Sequence, residues 1–313
     1  MSLSFRKVYP EDYALIEPLL KKISDNPIKF MPLFFNRWKS KESFVGVAAE
    51  QQGNVKAFLG LVFSDREING RTLTFCNLTT LIIDESLRGQ KLSYKIIEFV
   101  KSLGDFVLTA ITPIPSLYNM YESQGFKRVN DFRTIFWRMP LPGASSGFKL
   151  ISLNESANEI LTQSERKILA DHLEFNCLTL LFQSQKEHAL LILKPYSAQR
   201  RKFITQRFLN YSDYAMRKIF NYSFLDTVIT PLEVHYCSNY PFLLANIKAF
   251  AAHLFTLQEK IPGFFVRTFY CERFKNSYPL KNNFWHSRQL YFSEYISEEQ
   301  FDTLYSEIFL LDL

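Results

Sequence analysis

A chain of 313 residues is longer than one hydrophobic core usually serves, so two domains are expected, and a 47% hydrophobic content with 31 Phe excludes a disordered chain. No apolar run approaches the roughly 18 residues that a membrane helix needs, and the charged stretch from Met1 to Pro10 does not read as a signal peptide, so a cytoplasmic protein with no membrane partner is expected. The net charge of +6 suits an anionic ligand.

In chain order, Ser4 to Tyr9 reads as a strand, and Pro10-Glu11-Asp12 gives an acidic start to a helix over Tyr13 to Ile23. Asn26-Pro27 breaks that helix, and the aromatic segment Phe30 to Trp38 reads as a packed cover or as one wall of a cleft. Phe44 to Ala49, Lys56 to Phe63 and Thr72 to Ile83 form an antiparallel meander, turned at Gln52-Gly53 and Asn69-Gly70. Leu92 to Leu103 carries apolar residues at helical spacing and stops at Gly104. The wholly apolar Phe106 to Ile111 reads as a strand buried on both faces, ended by Thr112-Pro113-Ile114-Pro115. A helix over Ser116 to Gln124 and a last strand over Arg133 to Met139 complete a first domain spanning residues 1–140. The Pro, Gly and Ser-rich residues 141–148 read as a linker.

The second domain, 149–313, repeats the outline. A strand at Leu150 to Leu153, a helix over Glu159 to His172 and a hairpin of Leu178 to Gln183 with His188 to Leu193 lead to one or two basic helices within Ser197 to Phe220. Asp226 to Tyr236, Phe264 to Tyr270 and Trp285 to Tyr295 read as strands, and Phe242 to Gln258 and Glu298 to Phe309 as helices. An internal duplication of fold is expected.

The stretch most informative about chemistry lies in the first half. The strand ending at Ile83 passes through Asp84-Glu85-Ser86-Leu87-Arg88-Gly89-Gln90-Lys91 into the helix beginning at Leu92, an arrangement that aims backbone N–H groups at an anion. Elsewhere the residues read structurally. Cys76, Cys177, Cys237 and Cys271 have no CxxC spacing and are read as reduced, mostly buried thiols, and the five His show no metal-ligand spacing, so no metal is expected. The basic run Arg200-Arg201-Lys202 reads as a solvated helix face, with docking of an acyl carrier protein or nucleic acid as its alternatives, nucleic acid the less favoured.

The run Arg88-Gly89-Gln90-Lys91-Leu92-Ser93, followed by Tyr121 and then Gly125-Phe126, resembles the paired signatures of the GCN5-related N-acetyltransferases. The resemblance covers residues 3 to 140 well and the remainder only as a degenerate second copy. It implies an α/β fold, a mostly antiparallel sheet flanked by helices, present as two tandem domains. It also implies an acyltransferase that moves an acetyl or other acyl group from acyl-coenzyme A to the amine of a small molecule or amino sugar. On that resemblance, the N–H groups of Arg88, Gly89, Gln90, Lys91, Leu92 and Ser93 hold the pyrophosphate, Leu81 and Ile83 pair with the pantetheine arm, and the Thr79 amide faces the thioester oxygen. Tyr121 becomes the proton donor to the leaving thiolate. Lys91 stands at a glycine position of the signature. A negative φ is expected for it, as for residues at a helix N-terminus.

No strand glutamate is available as base. Phe75 lies at its place, Asn77 is a candidate for holding a water, and Asp65, Glu67 and Asp84 are the nearby carboxylates. The second half lacks both signatures, reading Tyr236-Cys237-Ser238-Asn239-Tyr240-Pro241 at the turn. It is expected to shape the acceptor cleft or to form a homodimer. Two alternatives stand beside the leading reading: an acyl-carrier-protein-dependent transferase, and a non-catalytic acyl-coenzyme A-binding regulator.

Overall fold

The structure is a computed structural model and describes residues 3–35, 38, 40–129, 132–138, 147–153, 159–195, 231–258, 261, 263–268, 281–286 and 289–311. The basic run at 200–202 and most of the expected linker, 141–146, lie outside these residues. The chain divides into two units, Met1–Asn130 with Ser287–Leu313, and Asp131–His286. Among the described residues no helix is long and apolar enough to cross a membrane.

The first unit is built on a seven-stranded sheet. Its strands are β1 (Ser4–Val8), β2 (Gly46–Gln51), β3 (Asn54–Ile68), β4 (Arg71–Ile83), β5 (Val107–Ala110) and β6 (Lys127–Arg128), with a late strand, Leu290–Phe292, between β5 and β6. All its pairings are antiparallel except that of β4 with β5. The hairpin turns form as expected, Gln52 and Gly53 at φ 53 and 74 and Asn69 and Gly70 at φ 52 and 75, the left-handed pair that matches strand twist. Helices α1 (Tyr13–Leu20), α2 (Met31–Phe34), α3 (Leu92–Ser102) and α4 (Tyr118–Ser123) belong to this unit. Ile96, Ile97 and Val100 of α3 are fully buried against Leu59, Leu61 and Leu108, which makes one continuous core.

The second unit repeats the strand order. Its sheet contains β7 (Phe132–Trp137), β8 (Lys149–Ser152), β9 (Leu178–Gln183), β10 (His188–Pro195), β11 (Leu232–Cys237), β12 (Gly263–Thr268) and β13 (Lys281–His286), in the order β13-β7-β12-β11-β10-β9-β8. Again a single pair, β11 with β12, is parallel. Helix α5 (Gln163–His172) starts at a capping box between Thr162 and Glu165, later than the expected start at Glu159, and the single helix expected over Phe242 to Gln258 is divided at Asn246 into α6 (Tyr240–Ala245) and α7 (Ile247–Leu257).

Two of the expected strands find other partners. β7 does not close the first sheet; it pairs with β12 and β13, and Phe136 stacks on Phe264 at 5.3 Å within the second core. The run 285–295 is not one strand, since β13 ends at His286 and Leu290–Phe292, now β14, joins the first sheet, where Leu290 is fully buried. Each half thus gives one strand to the other's sheet, and the expected boundaries at 140 and 149 move to 130, with a return at 287. Local pattern specifies that a segment is a strand, while its partner is chosen by packing over the whole chain. The helix expected over Glu298 to Phe309 is reduced to a turn at Glu298–Gln300 and a short α8 (Glu307–Leu310).

Candidate active site

The site forms where β4 and β5 part. Their ladder runs from Phe75 opposite Val107 to Asn77 opposite Thr109, and β5 ends at Ala110 ahead of Pro113 and Pro115, which have no N–H to give a ladder. β4 continues to Ile83. The Asp84 N–H donates to the Lys56 carbonyl at 2.8 Å, so Ile82 also faces β3 and the polar backbone of Leu81 and Ile83 points to the vacated side. The residues expected to pair with an extended ligand are those left with a free edge.

Just before this edge the β3–β4 register slips: Leu59 opposes Leu81, but Gly60 opposes Thr79, leaving Thr80 as the extra residue of a bulge. Thr80 has φ 50, a left-handed conformation that a β-branched residue rarely adopts. Gly60 permits the close approach, since a Cβ there would lie 3.2 Å from Thr79 Cγ2 and 3.3 Å from its carbonyl oxygen. The second unit keeps this irregularity. His235 is skipped between Ile192 opposite Tyr236 and Leu193 opposite Val234.

After β4, the Asp84 carboxylate accepts from the Ser86 N–H at 3.0 Å and from Lys22 Nζ at 2.7 Å, which fixes the turn and holds its pKa below the ordinary carboxylate range, first through Lys22 and then Ser86. Gly89 follows at φ 79 and Lys91 at φ 54, capping α3. The negative φ expected for Lys91 is therefore corrected: it adopts the left-handed conformation for which glycine is favoured. Lys91→Gly is expected to be about 1 kcal/mol more stable than Lys91→Ala by urea melts, because both remove the charge and only glycine relieves the backbone. Among the described residues, the N–H groups of Gly89, Lys91, Leu92 and Ser93 have no protein acceptor. They open onto a surface where Arg88, Lys91 and Lys95 are exposed.

The Tyr-to-Gly-Phe signature has a plain physical meaning. Gly125, at φ 84, ends α4: its N–H donates to the Glu122 carbonyl at 2.9 Å, and the Phe126 N–H donates to the Tyr121 carbonyl at 3.1 Å. These are the two bonds of a Schellman stop, whose usual apolar contact is the edge-on packing of Phe126 on Tyr121 at 5.0 Å. Tyr121 is thereby held in the core at 3% exposure. Burial, and then the charge of Glu307, raise its phenol pKa well above the ordinary tyrosine value.

Glu307 is the residue that local sequence reasoning missed. Its carboxylate is buried in the first unit, where Oε2 accepts from Asn77 Nδ2 and Oε1 from the Thr112 hydroxyl. Asn77 Oδ1 accepts from the Thr109 hydroxyl at 3.2 Å, so the amide's orientation is set from both sides. The segment that carries Glu307 is tied down by Asp302, which takes both Arg66 Nη1, at 3.1 Å, and Nη2. Arg66 lies 4.4 Å over the Phe75 ring, and Tyr305 meets Trp38 edge-on at 5.1 Å. A buried asparagine in an apolar strand demands partners, and that demand is the signal by which the sequence could have indicated a distant polar group.

The other carboxylates stand elsewhere. Asp65 accepts from the Thr74 hydroxyl at 2.8 Å, away from the bulge, Glu67 is exposed, and Asp84 is engaged in the turn. Cys76 lies in the core, and burial pushes the Cys177 thiol up to about 11 and Cys237 to about 12, values that suit inert thiols. In the second unit only Ser238 and Asn239 separate β11 from α6. Asn239 caps the Phe242 N–H at 3.1 Å, and Pro241 has no N–H to offer.

No family model matches the chain, and no curated protein matches it. Solved structures do. A GCN5-related N-acetyltransferase from Anabaena variabilis aligns with a TM-score of 0.56 at 9% identity, over 93% of this chain and 72% of that one. A conserved Enterococcus faecalis protein of unknown function gives 0.56 at 7% identity over 93% and 72%. A GCN5-related N-acetyltransferase from Kribbella flavida gives 0.53 at 8% identity over 93% and 70%. At these identities the likeness is one of fold.

Proposed function

The chain carries the fold of the GCN5-related N-acetyltransferases, and on that footing we propose that its first unit transfers an acyl group from acyl-coenzyme A to an amine. The observation that carries this reading is an alignment of two unused backbone surfaces. The free edge at Leu81 and Ile83 leads directly into the unpaired N–H groups of Gly89, Lys91, Leu92 and Ser93. An extended amide-bearing arm ending in a pyrophosphate matches both, the arm as an added strand and the phosphates at the N-terminus of α3. On this reading the thioester lies near the bulge at Thr79 and Thr80, and Tyr121 serves as its proton donor. The amine attacks within a ternary complex, with proximity supplying much of the rate. The raised pKa of Tyr121 keeps its phenol protonated at neutral pH, ready to donate to the thiolate.

The turn favours free coenzyme A over an acyl carrier protein, whose prosthetic arm has one phosphate where coenzyme A has a pyrophosphate and nucleotide. The second unit we read as a duplicated copy without a cofactor, because its short turn spends or lacks the N–H groups the first leaves open. It serves to shape the acceptor cleft or to pair two chains. Calorimetric titration with coenzyme A, acetyl-coenzyme A and acetyl-phosphopantetheine tests this. One site per chain is expected, with the phosphopantetheine thioester binding at least about 10-fold more weakly for loss of its phosphate contacts. No heat with either coenzyme would overturn the proposal, and two sites would overturn the assignment of the second unit.

A further inference from the structure

We infer that Thr112 and Asn77, joined through the carboxylate of Glu307, are positioning residues that hold the gap between β4 and β5 open for the thioester-bearing arm. This rests on the acyl-coenzyme A reading above. Two parallel strands whose hydrogen-bonding edges face each other tend to go on pairing, because pairing satisfies backbone groups that are otherwise left to water. Here the ladder stops at Asn77 and Thr109. An arm paired with Leu81 and Ile83 takes up one strand spacing, about 4.8 Å, so the chain leaving β5 must stand off from β4 by about twice that. Something has to fix that departure.

The side chains at the foot of the gap do so. Cys76, Leu78, Leu108 and Ala110 turn into the first core, so Asn77 and Thr109 lie on the opposite face of the sheet. There Asn77, at 1% exposure, accepts from the Thr109 hydroxyl at 3.2 Å and donates to Glu307 Oε2. Glu307 Oε1 accepts from the hydroxyl of Thr112, two residues past the end of β5. The two oxygens of a carboxylate have a fixed separation. One therefore holds the last rung of β4 and the other the chain that has left β5, so the carboxylate acts as a spacer between them. The spacer is itself seated: Ser306 Oγ donates to the Thr303 carbonyl at 2.7 Å and accepts from the Ile308 N–H at 3.3 Å, and α8 packs on α2. Both bonds to the carboxylate end on a charged group, which makes them about twice as strong as neutral ones and suits them to holding a geometry. The role asks of Glu307 only that its two oxygens accept, and does not depend on its other neighbours.

Thr112 is the member to test, because it is exposed while Asn77 and Glu307 are buried. Thr112→Val keeps the shape and loses the hydroxyl, whereas Thr112→Ser keeps the hydroxyl and loses a methyl. Coenzyme A and its nucleotide half, 3′-phospho-ADP, which has no arm, are titrated calorimetrically into the full chain and both variants. Thiol release from acetyl-coenzyme A with a primary alkylamine gives KM and kcat. Thr112→Val is expected to bind coenzyme A about 10-fold more weakly and to raise KM to match, with kcat within about threefold and 3′-phospho-ADP affinity within about twofold. Thr112→Ser should stay within about twofold of the unsubstituted chain on every reading. Unchanged coenzyme A affinity in the valine variant, or equal losses in the valine and serine variants, would overturn the assignment. So would equal losses for coenzyme A and 3′-phospho-ADP, because a general loosening does not distinguish the two ligands, or a fall in kcat alone, which would place the hydroxyl in the chemistry. If the unsubstituted chain takes up no coenzyme A, the reading beneath falls instead.

Discussion

Replacing Tyr121 with phenylalanine should lower turnover with acetyl-coenzyme A about 1,000-fold and leave coenzyme A affinity within about twofold. The change deletes one oxygen and keeps the ring, so the edge-on contact with Phe126 and the Schellman stop at Gly125 persist. The thiolate alone loses its donor, in the transition state and not in the ground state, and a loss confined to kcat is the signature. A variant with unchanged kcat would remove Tyr121 from the mechanism. The same substitution has a pH consequence. Burial and Glu307 hold the folded-state phenol pKa above the ordinary value of 10.0, so the stability tied to it is complete below that pH and is lost as pH rises beyond it. Urea melts from neutral to strongly alkaline pH should therefore fall less steeply for Tyr121→Phe than for the unsubstituted chain.

How much of this could be read from the sequence follows from the range over which each feature is decided. The stop at Tyr121, Gly125 and Phe126 is settled within six consecutive residues by backbone hydrogen bonds and one apolar contact. Leu81 and Ile83 are indicated only by the family resemblance; strand alternation and the prolines after β5 supply the physical reason their edge is free. The bulge leaves a trace in the sequence: Gly60, isolated in an apolar strand, is the residue expected where another backbone comes close. The left-handed φ of Lys91 runs against the rule for helix starts and follows the glycine preference of the signature.

Glu307 could not be found locally. It meets Asn77 across 230 residues of sequence, and its arrival depends on β14 crossing into the first sheet, which no local pattern specifies. The strand exchange and the missing carboxylate are therefore one problem. A chain whose halves trade strands returns its C-terminal residues to the first core, and the polar group that Asn77 demanded comes with them.

That return hangs on Arg66 and Asp302, and breaking this pair should have the largest effect on stability. Both side chains are only 10% exposed, and the guanidinium also lies against Phe75 and Tyr305. Asp302→Ala leaves a cation buried without its counter-charge, at a cost of about 3–5 kcal/mol. That is a large part of the roughly 5–15 kcal/mol by which a domain is stable. Arg66→Met with Asp302→Leu removes both charges and keeps the volume, and should recover most of the loss, because the penalty belongs to the orphaned charge and not to the missing attraction. Urea denaturation of the two variants separates the cases. If Asp302→Ala costs less than about 1 kcal/mol, as exposed ion pairs do, the pair is not what seats the C-terminal segment. If the double variant is as unstable as the single one, the bidentate geometry itself holds Tyr305 and, two residues on, Glu307 in place.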